Sequence, residues 1–522
     1  MLNIAVEETK LSGATHPFIV KFINTLPINY QQIVLPRIST FYLSTAPVIT
    51  EILADLLTND LPSEIQSVEF EGIFAVTAFN AVLVYNEHRY SELGLGIKKN
   101  SIELIWKMLL SQGINAEHPA AYPRTGIAKQ LAFIGFLKDL LNEEFEDFEA
   151  RLLKVTGFSS IYDYPLTFIN LIVTKERAIS ENNLLIVVPK DHVYYDIFHQ
   201  IDVVTWLQTS NNNRVYLEDM TVKPFIKLAD DSLYLSGISN FGLITEKVFN
   251  FYLFKQNLLP QSLRISRFSD LQGLWGRYIE KYLIFNLLKS MEKKGVRVIP
   301  SEDLNLPDAT MIINERDVFL FEIKSSSLNK NVTIEKSVEQ FKDFIDTNFV
   351  TDKKGIPQLN RMIRILCDTD GSHCNLNGQL KKLRIFPILV YAENHLNKYG
   401  VNEYAIQNAP KLDIDITEKF QKVAPVTMIH YDFFIENLRV LKGRRNILKE
   451  NIEAYHHQIS RLKKKYKKTN STRDYFNTLI SFDDFCAIRG SLLYSENHKT
   501  ILDEMKNVFA FDKHANKLSG IN

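Results

Sequence analysis

Two hydrophobic periods divide this chain. Apolar residues recur at three- and four-residue steps over residues 101–112 and 127–155, which predicts helices there. A longer stripe runs over 271–291: Leu271, Leu274, Trp275, Tyr278, Tyr282 and Phe285 fall on one helical face, and Gly295 follows its end. Short apolar runs predict strands at 184–188, 296–299, 308–313, 318–324, 384–391 and 426–433. The polar stretch Asn314-Glu315-Arg316-Asp317 makes a turn between two of them. Residues 222–236 read as a hairpin turning at Ala229-Asp230-Asp231-Ser232. Helices are expected again near 333–346 and 358–366. The order helix, three strands, helix, strand, strand predicts an α/β fold with a central mixed sheet flanked by helices.

Composition sets the scale. A chain of 522 residues with 45% hydrophobic and 23% charged residues is ordinary globular material, long enough for roughly two to four domains. Collagen-like, disordered and mucin-like classes are excluded. Three cysteines cannot make a disulfide framework at this length, which points to a reducing, cytoplasmic setting. The first residues carry no basic and apolar leader pattern, and no run of 18 apolar residues occurs, so neither a secretory signal nor a membrane partner is expected.

Charge changes the picture more. The net charge is zero, yet residues 1–260 hold 20 Lys and Arg against 29 Asp and Glu, while residues 261–522 hold 41 against 32. A basic half suits a polyanion such as nucleic acid, and the acidic half could receive a partner protein. The expected organisation is a separate mixed or helix-rich domain over 1–260, an α/β domain over 261–438 and a basic helical segment over 439–522. Residues 439–473 contain 12 Lys and Arg and two acids, Glu450 and Glu453, with Ile447, Ala454, Ile459 and Leu462 as an interrupted apolar face. That pattern fits a helix docked on the core, its outer side either simply solvated or touching phosphates. The first half shows no phosphate loop, HExxH or GxSxG, and Gly94-Leu95-Gly96 is too short for a dinucleotide fingerprint.

The sharpest chemical pattern is Pro307-Asp308 followed by Glu322-Ile323-Lys324. Strand side chains alternate, so Val318, Leu320, Glu322 and Lys324 share one face, and Phe319, Phe321 and Ile323 the other. Two charges on an otherwise apolar strand face need partners. A preceding antiparallel strand would bring Asp308 alongside Glu322. Adjacent carboxylates repel, and a divalent cation with oxygen ligands relieves the conflict. Metal-assisted phosphodiester hydrolysis is the reaction such a set serves, with Lys324 beside the attacking water or the scissile phosphate.

These residues resemble the PD-(D/E)XK, or restriction-endonuclease-like, nuclease superfamily. The segment PDATMIINERDVFLFEIKSSS matches its strand–turn–strand core. The resemblance covers about residues 262–435 and implies a Mg²⁺-dependent endonuclease, with Mn²⁺ as a substitute. Asp308, Glu322 and the Ile323 carbonyl would be metal ligands, and Lys324 catalytic. A helix before the core often supplies a further acid in this superfamily, which implies Glu280 as a catalytic or second-metal residue. Gln358 occupies the region where some branches place a glutamine, although the tyrosine they carry four residues later is Met362 here. Double-stranded DNA is the implied substrate, a homo-oligomer would supply two cutting sites, and an effector role in bacterial anti-phage defence follows by analogy of fold. The alternative is a non-catalytic nucleic-acid or protein binding module on an inactive nuclease fold.

Other residues carry less. Cys367, His373 and Cys374 lack zinc spacing and a fourth ligand and read as a polar loop. Adjacent His456-His457 are expected on the surface. Trp106, Trp206 and Trp275 are expected in the core. Ser325-Ser326-Ser327 either ends a strand or donates to phosphate.

Overall fold

In the computed structural model the described residues are 101–111, 122–165, 187–192, 195–209, 225–228, 230–235, 249–301, 306–329, 337–351, 354–376, 380–489 and 498–509, with isolated positions 28, 32, 223, 303 and 332. The first hydrophobic period gives helix α1 (Ile102–Ser111). The second gives two helices in place of one, α2 (Tyr122–Leu141) and α3 (Glu144–Thr156). Asn142 between them has φ of 46°, and a left-handed residue cannot continue a right-handed helix. The expected hairpin is present. Strands β1 (Val187–Val188), β2 (Phe225–Lys227) and β3 (Leu233–Leu235) make a small antiparallel sheet in the order β1-β3-β2.

The long helix is broken in phase. It runs as α4 (Phe268–Arg277), a π-helical turn (Tyr278–Leu283) and α5 (Ile284–Lys289). Up to the turn, Leu271, Leu274 and Tyr278 are buried as the stripe predicts. From the turn onward Ile279, Leu283 and Leu287 take the buried face, and Tyr282 and Phe285 are only partly covered. A π turn inserts one residue, which rotates the face that follows by about 100°.

The main sheet has six strands: β4 (Val296–Pro300), β5 (Ala309–Ile313), β6 (Asp317–Lys324), β7 (Arg384–Tyr391), β8 (Lys422–Val423) and β9 (Thr427–His430). The order is β4-β5-β6-β7, with β8 and β9 both along the far edge of β7. The pairs β4–β5 and β5–β6 are antiparallel, and every pair from β6 onward is parallel. The tight turn into β6 is centred on Asn314 and Glu315, each with φ of 53°, closed by Arg316 N–H donating to the Ile313 carbonyl. The strand expected over 426–433 stops at His430. Tyr431–Glu436 is helical instead, with Asp432 in its first turn, where a negative charge is favoured.

Both faces of the sheet are covered. Phe319, Phe321 and Ile323 enter one core with α2, α4 and α5. Val318 and Leu320 enter the other with α1, α6 (Val338–Ile345) and α7 (Ile356–Asp368). Covering on both sides explains why Val318 to Ile323 reads as an apolar run that only Glu322 interrupts. Described residues from the first 260 share buried clusters with this sheet. Helix α2 shares a buried cluster with the sheet, and α1 caps the opposite face, with Trp106 Nε1–H donating to the Tyr399 carbonyl at 2.9 Å.

Helix α8 (Ile447–Thr469) buries Ile447, Leu448, Ile452, Tyr455 and Ile459, and the later described elements are helical as expected. Several of its cations are engaged: Lys449 with Asp317 at 3.1 Å, Lys463 with Glu403 at 2.6 Å and Lys465 with Asp474 at 2.6 Å. His456 is half-buried and meets Thr427 Oγ1 at 2.8 Å, which corrects its expected surface position, while His457 is exposed. Burial, with Lys422 and Lys463 adding, pushes His456 down to about 4. Cys367 and Cys374 are buried free thiols; Trp106 is buried in the core, Trp275 packs against it partly buried, and Trp206, expected in the core, is only half-buried with Lys223 Nζ over its ring. Among the described residues no helix is long and apolar enough to cross a membrane.

Candidate active site

The β5–β6 register carries Asp308 to Glu322. Ala309 pairs with Phe321, and Ser301 N–H donates to the Asp308 carbonyl at 3.0 Å, extending the β4–β5 ladder one residue past the end of β5. One step along that register sets Asp308 opposite Glu322, with both side chains leaving the same face. The next step sets Pro307 opposite Ile323. Proline has no N–H, so it cannot donate to the Ile323 carbonyl as a ladder residue would. The Ile323 N–H, pointing the same way, donates to Asp308 Oδ2 at 2.8 Å. The residue before Asp308 thus ends the ladder and leaves the Ile323 carbonyl without that donor.

Glu322 is 1% exposed. Its carboxylate forms an ion pair with Lys324 Nζ, and its Oε2 meets no hydrogen-bond donor among the described residues. Burial pushes this carboxyl up to about 8. Lys324 opposes the rise, and the charges of Asp308 and Glu280 add to it. Lys324 Nζ also donates to Gln358 Oε1 at 3.2 Å. Gln358 in turn is fixed at the start of α7, where its Oε1 accepts from Gly355 N–H at 3.0 Å. Gly355 has φ of 68°, and a Cβ there would lie 2.5 Å from Phe349 Cα, so only glycine fits this turn.

Glu280 stands on the π-helical turn, a feature that often marks functional positions. Its Oε1 accepts from Ser325 N–H at 3.2 Å and Ser325 Oγ–H at 2.8 Å. Burial raises its carboxyl and Asp308 adds to the rise, against the Ser325 hydrogen bonds. Gly276 makes room for this contact, since a Cβ there would sit 2.8 Å from Ser325 Oγ. Ser325 is therefore engaged with Glu280.

The structure brings Asp308, Glu322, Ile323, Lys324 and Glu280 together, and Gln358 joins them through Lys324. Sequence reasoning missed Lys281, whose Nζ lies 2.6 Å from Asp308 Oδ1. A half-exposed lysine on a helix gives no sequence signal of its own. It also missed a second charged cluster. Lys129 on α2 is fully buried, with Nζ 3.0 Å from Asp432 Oδ1 and donating to Tyr431 Oη at 2.7 Å. Thr125 Oγ–H donates to Asp432 Oδ2 at 3.0 Å. Burial works to raise the Asp432 carboxyl, but Lys129 with His430 and Thr125 outweighs it and holds the group below its ordinary value.

Among the described residues no three His, Cys, Asp or Glu side chains are grouped closely enough to hold a metal ion as they stand. The donor chemistry nevertheless fits a hard divalent cation. Glu322 offers a buried oxygen that meets no donor among the described residues, Asp308 and Glu280 bring negative charge to it, and every candidate ligand is an oxygen. The chain matches no protein-family model, and no curated protein or solved structure is significantly similar to it.

Proposed function

We propose that this chain is a Mg²⁺-dependent nuclease of the restriction-endonuclease-like type, hydrolysing phosphodiester bonds in nucleic acid, with DNA as its substrate. The observation that carries this reading is Glu322: a buried carboxylate with an oxygen that meets no donor among the described residues, close to the charges of Asp308, Glu280 and Lys324 at one end of the sheet. Such a group costs stability unless it is paired, and buried, strongly perturbed carboxylates of this kind cluster at functional sites. Asp308, Glu322 and the Ile323 carbonyl would hold the cation, which when bound supplies an acidified water and neutralises charge on the scissile phosphate. Lys324, held between Glu322 and Gln358, presents an ammonium toward that water or phosphate. Glu280, oriented by Ser325, adds a carboxylate at the rim that can accept a proton or hold a second cation.

Purified protein is expected to nick or linearise supercoiled plasmid with Mg²⁺ or Mn²⁺ and to do nothing in EDTA. Asp308→Asn, Glu322→Gln and Lys324→Ala should each lower the rate at least a hundredfold while DNA binding measured in EDTA is kept. A wild type inert toward duplex, single strands and RNA with either metal would refute the enzyme. It would leave the binding-module reading, which the absence of a ready three-donor group among the described residues favours.

A further inference from the structure

We propose that Lys281 is the resident counter-cation of this site and that a divalent cation must displace it from Asp308 in order to bind. The inference rests on the nuclease reading above and names what regulates metal entry to that site. Both Asp308 oxygens are engaged. Oδ2 accepts from the Ile323 backbone N–H at 2.8 Å, which fixes the carboxylate against the strand. Oδ1 meets Lys281 Nζ at 2.6 Å. A cation approaching Asp308 beside Glu322 therefore finds its outer oxygen already neutralised.

The two lysines of the site differ in how firmly they are held. The Lys324 side chain is 16% exposed and sits between Glu322 and Gln358. The Lys281 side chain is 50% exposed, and Asp308 is its only ion-pair partner among the described residues. A flexible four-carbon stem at that exposure can swing into solvent at little cost. Charge gives the exchange its direction. Asp308, Glu322 and Glu280 against Lys281 and Lys324 leave one net negative charge when all are ionised. Adding a dication with Lys281 in place would make the cluster positive and set two like charges on the same carboxylate. The π-helical turn supplies the geometry, because Glu280 and Lys281 are consecutive and both reach the strand ends, one to Ser325 and the other to Asp308.

Isothermal titration calorimetry of the full chain with Mn²⁺, without nucleic acid, tests this. Lys281→Met is expected to bind Mn²⁺ roughly three- to tenfold more tightly than wild type, and Lys281→Arg about as wild type does. In melting experiments without metal, Lys281→Met should unfold at a lower temperature than wild type and gain more from added Mn²⁺. Lys281→Gln repeats the test with a side chain that keeps polarity and loses only the charge. If Lys281→Met and Lys281→Gln bind Mn²⁺ no more tightly than wild type while Glu322→Gln abolishes binding, the inference falls and the nuclease reading stands. If wild type and every Lys281 variant bind no Mn²⁺, both fall.

Discussion

Single atoms decide the shape of this site. Pro307 offers no N–H to the Ile323 carbonyl and so ends the ladder there, while the Asp308 carboxylate accepts from the Ile323 N–H. Gly276 removes one Cβ and so admits Ser325 Oγ to Glu280. The second case gives a sharp prediction. A glycine inside a helix costs about 1 kcal/mol relative to alanine, so Gly276→Ala would ordinarily stabilise α4. Here the new methyl would push Ser325 off Glu280. Gly276→Ala is expected to lower plasmid cleavage at least tenfold with little change in melting temperature. Gly276→Ala combined with Ser325→Ala should cleave as well as Ser325→Ala alone, because the clash has then lost its partner. Unchanged cleavage by Gly276→Ala would remove Ser325 from the orienting role given to it.

At the scale of the element, helix α8 divides its cations into two groups. Lys449, Lys463 and Lys465 are held by acids of neighbouring segments. Arg461, Lys464, Lys467 and Lys468 are exposed and have no ion-pair partner among the described residues. Arg461, Lys464 and Lys468 are spaced three and four apart, so they line one face. A row of unpaired cations on a rigid helix is suited to phosphates. Replacing these three with alanine is expected to weaken duplex DNA binding in EDTA and to reduce the slope of log affinity against log salt by about 2–3, read by fluorescence anisotropy over a KCl series. Lys463→Ala, which breaks only an internal pair, should leave that slope unchanged.

At the scale of the whole molecule, the described helices α1 and α2 belong to the same body as the sheet, one on each face. The buried Lys129–Asp432 pair makes that membership energetic as well as geometric. Removing one partner strands the other charge in the interior, which typically costs about 3–5 kcal/mol. Lys129→Met is therefore expected to lower stability by about 3 kcal/mol in urea denaturation, and Lys129→Met with Asp432→Asn to recover part of it. A chain beginning at residue 261 would lose both helices and leave Asp432 without Lys129. It should fail to fold cooperatively, whereas a chain beginning at residue 101 should retain the core.

The local pattern was enough for β4 to β7, because each strand is a short apolar run closed by a turn, and the bounds of β7 agree residue for residue. It was enough for the pairing of Asp308 with Glu322 as well, since a short turn and a two-residue period fix register without reference to the rest of the chain. Other features are set by contacts distant in sequence. The π turn re-phases the face after Tyr278 because Ile279 and Leu283 gain burial that Tyr282 would not. The helix at Tyr431 replaces strand, with Asp432 anchored to Thr125 and Lys129 some three hundred residues earlier. Lys281 meets Asp308 only once helix and strand are docked. Periodicity encodes which side of an element is apolar, but a charge's partner depends on which elements come to lie against it, and that is a property of the packed chain.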